Sequence, residues 1–563
     1  MIYKIADNVI TPLGDTTAQN YRAVKASLSA LRLYENHWGL PEPFVASLFT
    51  EEQTQQLSID GLTRFEALAA TSAMKAIAEC ELDVAQAKVV FILSTTKANI
   101  ETSDSLPAES AVHIARYLGF VTQPIVVCNA CISGVSAIML AQRLLESGSY
   151  DYAVVTGADV QCPFTMAGFQ SLKAVSAEPC RPFDIDRMGL NLGEAASTII
   201  FSREGRGETC WAVEQSAVRN DAFSITTPSR SADGALSAMR GAGLTDAADR
   251  LAFINVHGTG TLFNDQMEAT AISRSGLSHV PVNALKGYFG HTLGAAGILE
   301  TVISMAAADD QTLLGTKGYQ EAGVVDRIQV SAHHQPLNGL TFGKMISGFG
   351  GCNGALLLKK TKPVPAATLR LPRIRKTHSL RVAPPTRIVD LYKTHITDYA
   401  RFYKMDALCR LGFVAAELLL KENEGTAVIE REQRQACLDS AEGEQTRTKF
   451  NNDDMAIVLF NHSSSILTDR EFHKTISNPE GSFPSPSLFV YTLPNIVAGE
   501  IAIRHHLQSE TSFYILPERD DSIVSAVIAL TFLDPSIHRV LGGWIDYEDD
   551  EHFEAELYIA EKN

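Results

Sequence analysis

No stretch of this sequence stays apolar for the roughly 20 residues needed to span a bilayer. The opening Met1-Ile2-Tyr3-Lys4-Ile5 leads into no apolar h-region. Neither a membrane span nor a secretory leader is therefore expected. Cysteine offers no framework either: nine residues, an odd number, are spread along the chain. That argues against a disulfide scaffold or a zinc site, and for a reducing, cytoplasmic setting. Positive charge is short. Lys and Arg total 48 against 65 Asp and Glu, a net charge of −17, which disfavours nucleic acid as the main partner. An acidic enzyme serving an acidic carrier would need a local basic patch. What the chain does have is bulk: 563 residues, 45% hydrophobic and 20% charged, enough for several domains around a large core.

The stretch that organises the chain is Asn129-Ala130-Cys131-Ile132-Ser133-Gly134. It follows the apolar run Ile125–Cys128 and precedes a helix-like segment, Val135 to Leu145. Cys131 thus stands where a buried strand hands over to a helix. The positive end of a helix dipole and unpaired backbone N–H groups favour the thiolate, the nucleophilic form. Small residues around it leave room for a substrate.

Other segments alternate in the same way. Helical patterns are expected near Gln19–Arg32, over Phe65 to Ala78 and over Pro107–Tyr117; strands are expected at Lys88–Leu93 and Tyr152–Gly157. Strands alternating with helices argue for an α/β fold with a largely parallel sheet covered on both faces. The Gly-rich, charge-paired run Arg181–Ala196 reads as a scaffold loop entering a strand at Ser197–Phe201. Two histidines then stand in Gly-flanked turns at strand ends. His257 lies in Asn255-Val256-His257-Gly258-Thr259-Gly260-Thr261, with Asp265 and Glu268 opening a helix. His291 closes Lys286-Gly287-Tyr288-Phe289-Gly290-His291 and runs into a small-residue helix, Leu293–Ala307. A β-rich run, Lys344–Ser347, leads to Gly348-Phe349-Gly350-Gly351-Cys352. One such histidine is ordinarily structural; a pair in strand-end turns points to chemistry. Residues 361–387 hold seven basic residues, five prolines and no acid. They read as an extended linker over the acidic body, paired with its charges or docking an acidic partner.

With these residues in view, residues 1–362 resemble the β-ketoacyl-acyl carrier protein synthases of the thiolase superfamily, of the Cys-His-His type. Five motifs occur in the family's order: Ala-Cys-x-x-Gly at Cys131, Arg-Pro-Phe-Asp at Arg181, His-Gly-Thr-x-Thr at His257, Lys-x-x-x-Gly-His ending at His291, and Gly-Phe-Gly-Gly at Phe349. The resemblance implies a thiolase-like α-β-α-β-α fold with mixed sheets and a decarboxylative Claisen condensation. Cys131 would carry the acyl group. His257 and His291 would hydrogen-bond the extender thioester oxygen as charge develops there. Lys286 would supply fixed charge held by Glu268, and the N–H groups of Cys131 and Phe349 would form the oxyanion hole. Phe349 would also gate the acyl chain, and Thr259 and Thr261 would touch the pantetheine arm. The implied partners are acyl carrier protein with acyl and malonyl thioesters. No metal and no tightly bound cofactor is implied beyond the carrier's phosphopantetheine arm. Phe289 and Cys352 replace the family's usual threonines, which leaves the primer open.

Short matches place a second, degenerate copy of the synthase's first half in the tail. Lys404–Leu408 reads like Arg64–Leu68, Thr492-Leu493-Pro494 like Ser105-Leu106-Pro107, Val524–Val527 like Val135–Ile138, and Arg539–Gly543 like Ala153–Gly157. The expected organisation is a synthase at 1–362, a basic linker at 363–388 and a degenerate half-domain at 389–563. Most of the extra length falls around the polar run Glu422–Asp454. The Cys131 position falls among Glu518-Arg519-Asp520, so the copy has no nucleophile. It would pack on the synthase or imitate a partner subunit, against a homodimer or a separate synthase-like partner. Two other readings compete: a partner-dependent or non-catalytic subunit, which predicts loss of a triad member, and a coenzyme A-dependent thiolase, which wants a second cysteine as base. A self-duplicated tail favours a specialised polyene or polyketide pathway over housekeeping fatty acid synthesis.

Overall fold

Runs such as Val89–Ser94, every residue buried, can only be the interior strands of a sheet covered on both faces. A computed structural model describes residues 1–85, 88–101, 106–365, 367–421, 454–477 and 483–562. Ser105 and residues 422–453 of the polar run lie outside the described residues. Ten strands set the architecture. Five come from the first part of the chain: β1 (Ile2–Ile10), β2 (Val89–Ser94), β3 (Ile125–Val127), β4 (Tyr152–Asp159) and β5 (Ala195–Ser202). Five come from the tail: β6 (Ile374–Val382), β7 (Met455–Asn461), β8 (Thr511–Ile515), β9 (Arg539–Tyr547) and β10 (Phe553–Lys562).

They lie in the order β1-β5-β4-β2-β3-β8-β7-β9-β10-β6, so each tail strand takes the mirrored place of the strand five lower in number. The directions repeat as well. β2 runs parallel to β3 and β4, as β7 does to β8 and β9; β4 is antiparallel to β5, as β9 is to β10. The two sets meet antiparallel at β3 and β8, where Val127 faces Tyr514 and Val126 faces Ile515. Beyond β1 the sheet continues through 210–220, 352–361, 341–348, 253–255, 281–283 and 329–330, sixteen strands in all. The sheet is mixed, as the resemblance implied, and not the largely parallel one that strand–helix alternation suggested.

Helices follow the strands. Among them, in chain order, are α1 (Arg64–Cys80), α2 (Pro107–Leu118), α3 (Ser133–Glu146), α4 (Leu262–Arg274), α5 (Ala296–Asp309), α6 (407–421), α7 (Ile496–His505) and α8 (Asp521–Thr531). α1 starts with a Thr63 capping box closed by Glu66. α3 and α5 are buried almost all round, the condition of a central helical layer between sheet surfaces. Their N-terminal ends touch backbone to backbone. A Cβ on Gly134 would lie 2.9 Å from the Ile298 nitrogen, and one on Gly297 would lie 2.7 Å from the Val135 nitrogen. The helix expected over Gln19–Arg32 runs only Thr17–Lys25, because Ser27 turns left-handed (φ 58°) and Arg32–Tyr34 is a strand.

The stretch 363–388 is not a free linker. It contains β6, the edge strand of the sheet, paired antiparallel with β10. Its basic residues do pair with the acidic body: Arg375 with Glu561 at 3.3 Å and Arg381 with Glu554 at 2.7 Å. Charged side chains on an exposed edge also discourage pairing with another chain. The tail is tied to the body by buried charge. Arg143 of α3 makes a bidentate pair with Glu510, at 3.0 and 2.7 Å, and Lys97 pairs with Asp469 at 2.5 Å.

Candidate active site

Three chain reversals meet where α3 and α5 touch. β3 ends at Val127, a 3-10 turn follows over Ala130–Ile132, and α3 begins at Ser133. Ala130 sits in the left-handed region (φ 48°), a strained conformation for a residue with a side chain, and it presents Cys131 at the cavity wall. His291 ends the turn before α5. His257 follows the strand 253–255. One ligand-type atom from each of Cys131, His257 and His291 lies within 4.8 Å of the others, and the two imidazole rings are 5.0 Å apart at 83°. The close helix crossing at Gly134 and Gly297 brings these residues from opposite halves of residues 1–362 together.

Each histidine is held by its backbone. Glu268 of α4 accepts the N–H groups of His257 (2.6 Å) and Gly258 (2.7 Å). The His291 N–H donates to the Asn191 carbonyl at 2.6 Å, and its own carbonyl accepts from Gly193 at 3.0 Å. The 181–196 loop, which reads as scaffold, thus places the second histidine. Its Arg–Asp pairing is loose, Arg181 standing 3.9 Å from Asp186, while Arg187 reaches Asp265 at 3.7 Å. The Leu293 N–H points at His291 Nδ1, at 3.3 Å, which leaves Nε2 to carry the proton. Among the described residues, His291 Nε2 and His257 Nδ1 are buried without a partner.

Lys286 does not pair with Glu268 as the sequence suggested. Its ammonium donates to the His257 carbonyl (2.6 Å) and to Glu300 of α5 (2.7 Å), and Glu300 also takes Lys344, which reaches Asn255 at 2.7 Å. Glu268 already spends both oxygens on the His257 turn. Glu300, Lys344, Asn255, Asn191 and Gly193 are the site-building residues that sequence reasoning missed. Glu300 falls in the segment that reads as a small-residue helix, Leu293–Ala307, and nothing in its spacing marks it.

The electrostatics follow from this arrangement. Burial, then the Lys286 charge, then the neighbouring imidazole and Lys344 hold His257 well below the usual histidine range. Burial, Lys286 and Lys344 do the same for His291. Both rings are held neutral at pH 7, the state in which each imidazole carries one N–H to donate and one unprotonated nitrogen. Burial pushes the Cys131 thiol up to about 12, with Lys286 pulling the other way. The thiolate expected from the helix N-terminus is therefore not the resting form; desolvation at the cavity wall outweighs it. Cys128, three residues earlier, is buried, and both it and the half-buried Cys131 are unbridged.

The triad opens on a cavity of about 470 Å³, lined also by Thr259, Thr261, Phe349, Cys352 and the exposed Met188, Leu262 and Phe263. The Thr259 and Thr261 hydroxyls lie 2.9 Å apart. Gly348 packs beside the Cys131 N–H, where a Cβ would stand 3.1 Å away, so the Phe349 peptide adjoins the nucleophile. The Phe349 ring stacks on Phe169 at 6.1 Å. Cys352 is buried among Asn129, Asn220, Asn495 and Thr511, and burial lifts its thiol to about 11, unsuited to serve as a base.

Residues 44–206 match the model of the beta-ketoacyl synthase N-terminal domain and residues 211–320 that of the C-terminal domain. The 3-oxoacyl-[acyl-carrier-protein] synthase 2 of Rhizobium meliloti (strain 1021) is 33% identical over 255 residues, 42% of this chain and 60% of that protein. The tetracenomycin polyketide synthase ketoacyl synthase alpha subunit of Streptomyces glaucescens is 33% identical over 259 residues, again 42% and 60%. The chain thus spans about 60% of the length of the curated relatives it matches. Among solved structures, the ketosynthase ApeO in complex with its chain length factor ApeC, from Xenorhabdus doucetiae, superposes at TM-score 0.55 and 23% identity over 64% of this chain and 97% of that one. The PfaC keto synthase-chain length factor superposes at TM-score 0.74 and 12% identity over 100% of this chain and 78% of that one. No helix among the described residues is long and apolar enough to cross a membrane. Both domain models are matched in order across residues 44–320, so that region is of the β-ketoacyl synthase family, and the chain carries the thiolase-like fold of the ketosynthases it superposes on.

Proposed function

We propose that this protein is a β-ketoacyl-acyl carrier protein synthase of the cytoplasm that extends an acyl chain by decarboxylative Claisen condensation, in fatty acid, polyene or polyketide assembly. The observation that carries the reading is the convergence of one thiol and two neutral, backbone-anchored imidazoles on a single cavity. The Cys131 sulfur attacks the primer thioester carbonyl. The tetrahedral oxyanion is stabilised by the N–H groups of Cys131 and Phe349, and it collapses with loss of the carrier's pantetheine thiol. The proton given up by Cys131 ends on that leaving thiol, so the step needs no net proton from the protein.

Malonyl carrier then enters, its pantetheine arm passing Thr259 and Thr261. Its C–C bond breaks, carbon dioxide leaves, and the electron pair passes into the thioester as an enolate. His257 and His291 donate to the enolate oxygen, which a protonated Nε2 on His291 suits. Burial keeps both rings neutral, and Lys286, fixed between Glu300 and the His257 carbonyl, adds to it. The enolate carbon attacks the Cys131 thioester. The 3-oxoacyl product stays on the carrier, and the Cys131 sulfur leaves and takes a proton from water. Nothing in these steps calls for a metal or a bound cofactor besides the carrier's phosphopantetheine.

The tail at 389–563, with β6 before it, is read as a degenerate first-half copy. The mirrored strand order and the helices α6, α7 and α8 in the places of α1, α2 and α3 support this. On this reading it takes the place of a partner subunit's first half, and the counterpart of Cys131 falls among Glu518-Arg519-Asp520, where there is no thiol. The reading is tested by incubating the protein with acyl and malonyl carrier thioesters. A 3-oxoacyl carrier product with equimolar carbon dioxide is expected. Neither His257→Ala nor His291→Ala should release carbon dioxide above one-hundredth of the wild-type rate. Release unchanged in both variants contradicts the assigned roles.

A further inference from the structure

The Gly348–Gly351 loop carries Phe349 to the nucleophile, and its three glycines give it little stiffness of its own. Gly350 and Gly351 both adopt positive φ, 89° and 74°. The synthase body holds one side of this loop. The Gly350 N–H donates to the Ile225 carbonyl at 2.8 Å, and Asn220 Nδ2 donates to the Gly350 carbonyl at 2.8 Å. The other side is held from the tail. Asn495, fully buried at the start of α7, donates from Nδ2 to the Phe349 carbonyl at 2.9 Å. One turn on, Gly499 packs so closely that a Cβ would lie 2.7 Å from the Gly350 carbonyl oxygen and 2.9 Å from its Cα.

We propose that Asn495 is a positioning residue for this loop: by fixing the Phe349 carbonyl it sets the Phe349 N–H and ring against Cys131, so the tail completes the site without touching substrate. This rests on the condensing reading above. Fixing the carbonyl on one side of Phe349 restrains the peptide on the other, because only the φ and ψ of that residue lie between them. An oxyanion donor is worth its full effect only when aimed at where the charge will form, and a displacement of about 1 Å can cost on the order of 100-fold.

The test uses full-length protein with Asn495→Asp, which keeps the shape and loses the donor, and Gly499→Ala, which pushes α7 off the loop. Two rates are compared: Cys131 acylation by butyryl and octanoyl carrier thioesters, and Cys131 alkylation by iodoacetamide, which needs no oxyanion hole. Both variants are expected to slow acylation at least about 10-fold while alkylation changes less than about twofold. If Asn495→Asp does not fold, Gly499→Ala decides alone. Acylation within twofold of wild type in a folded variant overturns the proposal. So does an equal fall in both rates, which marks a merely structural role. A wild type that alkylates but accepts no acyl group overturns the condensing reading, and the role of Asn495 with it.

Discussion

Ala130 shows what the site asks of single residues. A non-glycine in the left-handed region is held there by a fully buried turn, and the result is a cysteine presented at a cavity wall. Burial pushes its thiol up to about 12, so Cys131 rests as a thiol. Its thiolate fraction should rise tenfold per pH unit below its pKa. The rate of Cys131 alkylation is accordingly expected to climb tenfold per unit from pH 7 to pH 10 without levelling; a plateau near pH 8 would mean that the helix N-terminus wins over burial. The identities of Cys131, His257 and His291 were legible because each sits in a Gly-flanked turn after an apolar run. The partner of Lys286 was not. Glu268 stands in the other histidine's motif and so suggests itself, but Glu300 comes to Lys286 through the packing of α5 under three strand ends, which no periodicity records.

Among the elements, α3 does two jobs. Its first turn crosses α5 at Gly134, and its last turn reaches the tail through Arg143 and Glu510, both nearly inaccessible. Removing one partner of a buried pair leaves an uncompensated charge, at a cost of about 3–5 kcal/mol, whereas an apolar replacement of both is often near neutral. Arg143→Met is expected to destabilise the protein by about that amount, and Arg143→Met with Glu510→Leu to recover most of it, as read by denaturant unfolding. Equal losses in the single and double variants would show that packing, not charge, joins the tail here. The strands of the first half were readable from their buried β-branched runs. β6 was not: its charged residues and the register shift between Lys376 and His378 break the two-residue alternation that marks a strand. Charge on an edge strand is what makes it look like a linker.

For the whole molecule, the mirrored sheet is the governing fact. β3, the strand of the first half that meets the tail, is already paired with β8 through Val126 and Val127, so that edge is taken and not open to a second copy of the chain. The protein is expected to sediment as a monomer of 61.1 kDa at micromolar concentration; a stable dimer would mean that the tail does not take the partner's place. Four short matches in one order suggested a repeat in the sequence, while the antiparallel seam between the two sets of strands is a fact of three dimensions only. All of this serves the claim that Cys131 is acylated in a site the chain completes by itself. Intact-mass analysis after incubation with a panel of acyl carrier thioesters, beside Cys131→Ala, tests that most directly. The account predicts a single acyl adduct on the wild type and none on the variant; a folded wild type that gains no mass from any primer would contradict it.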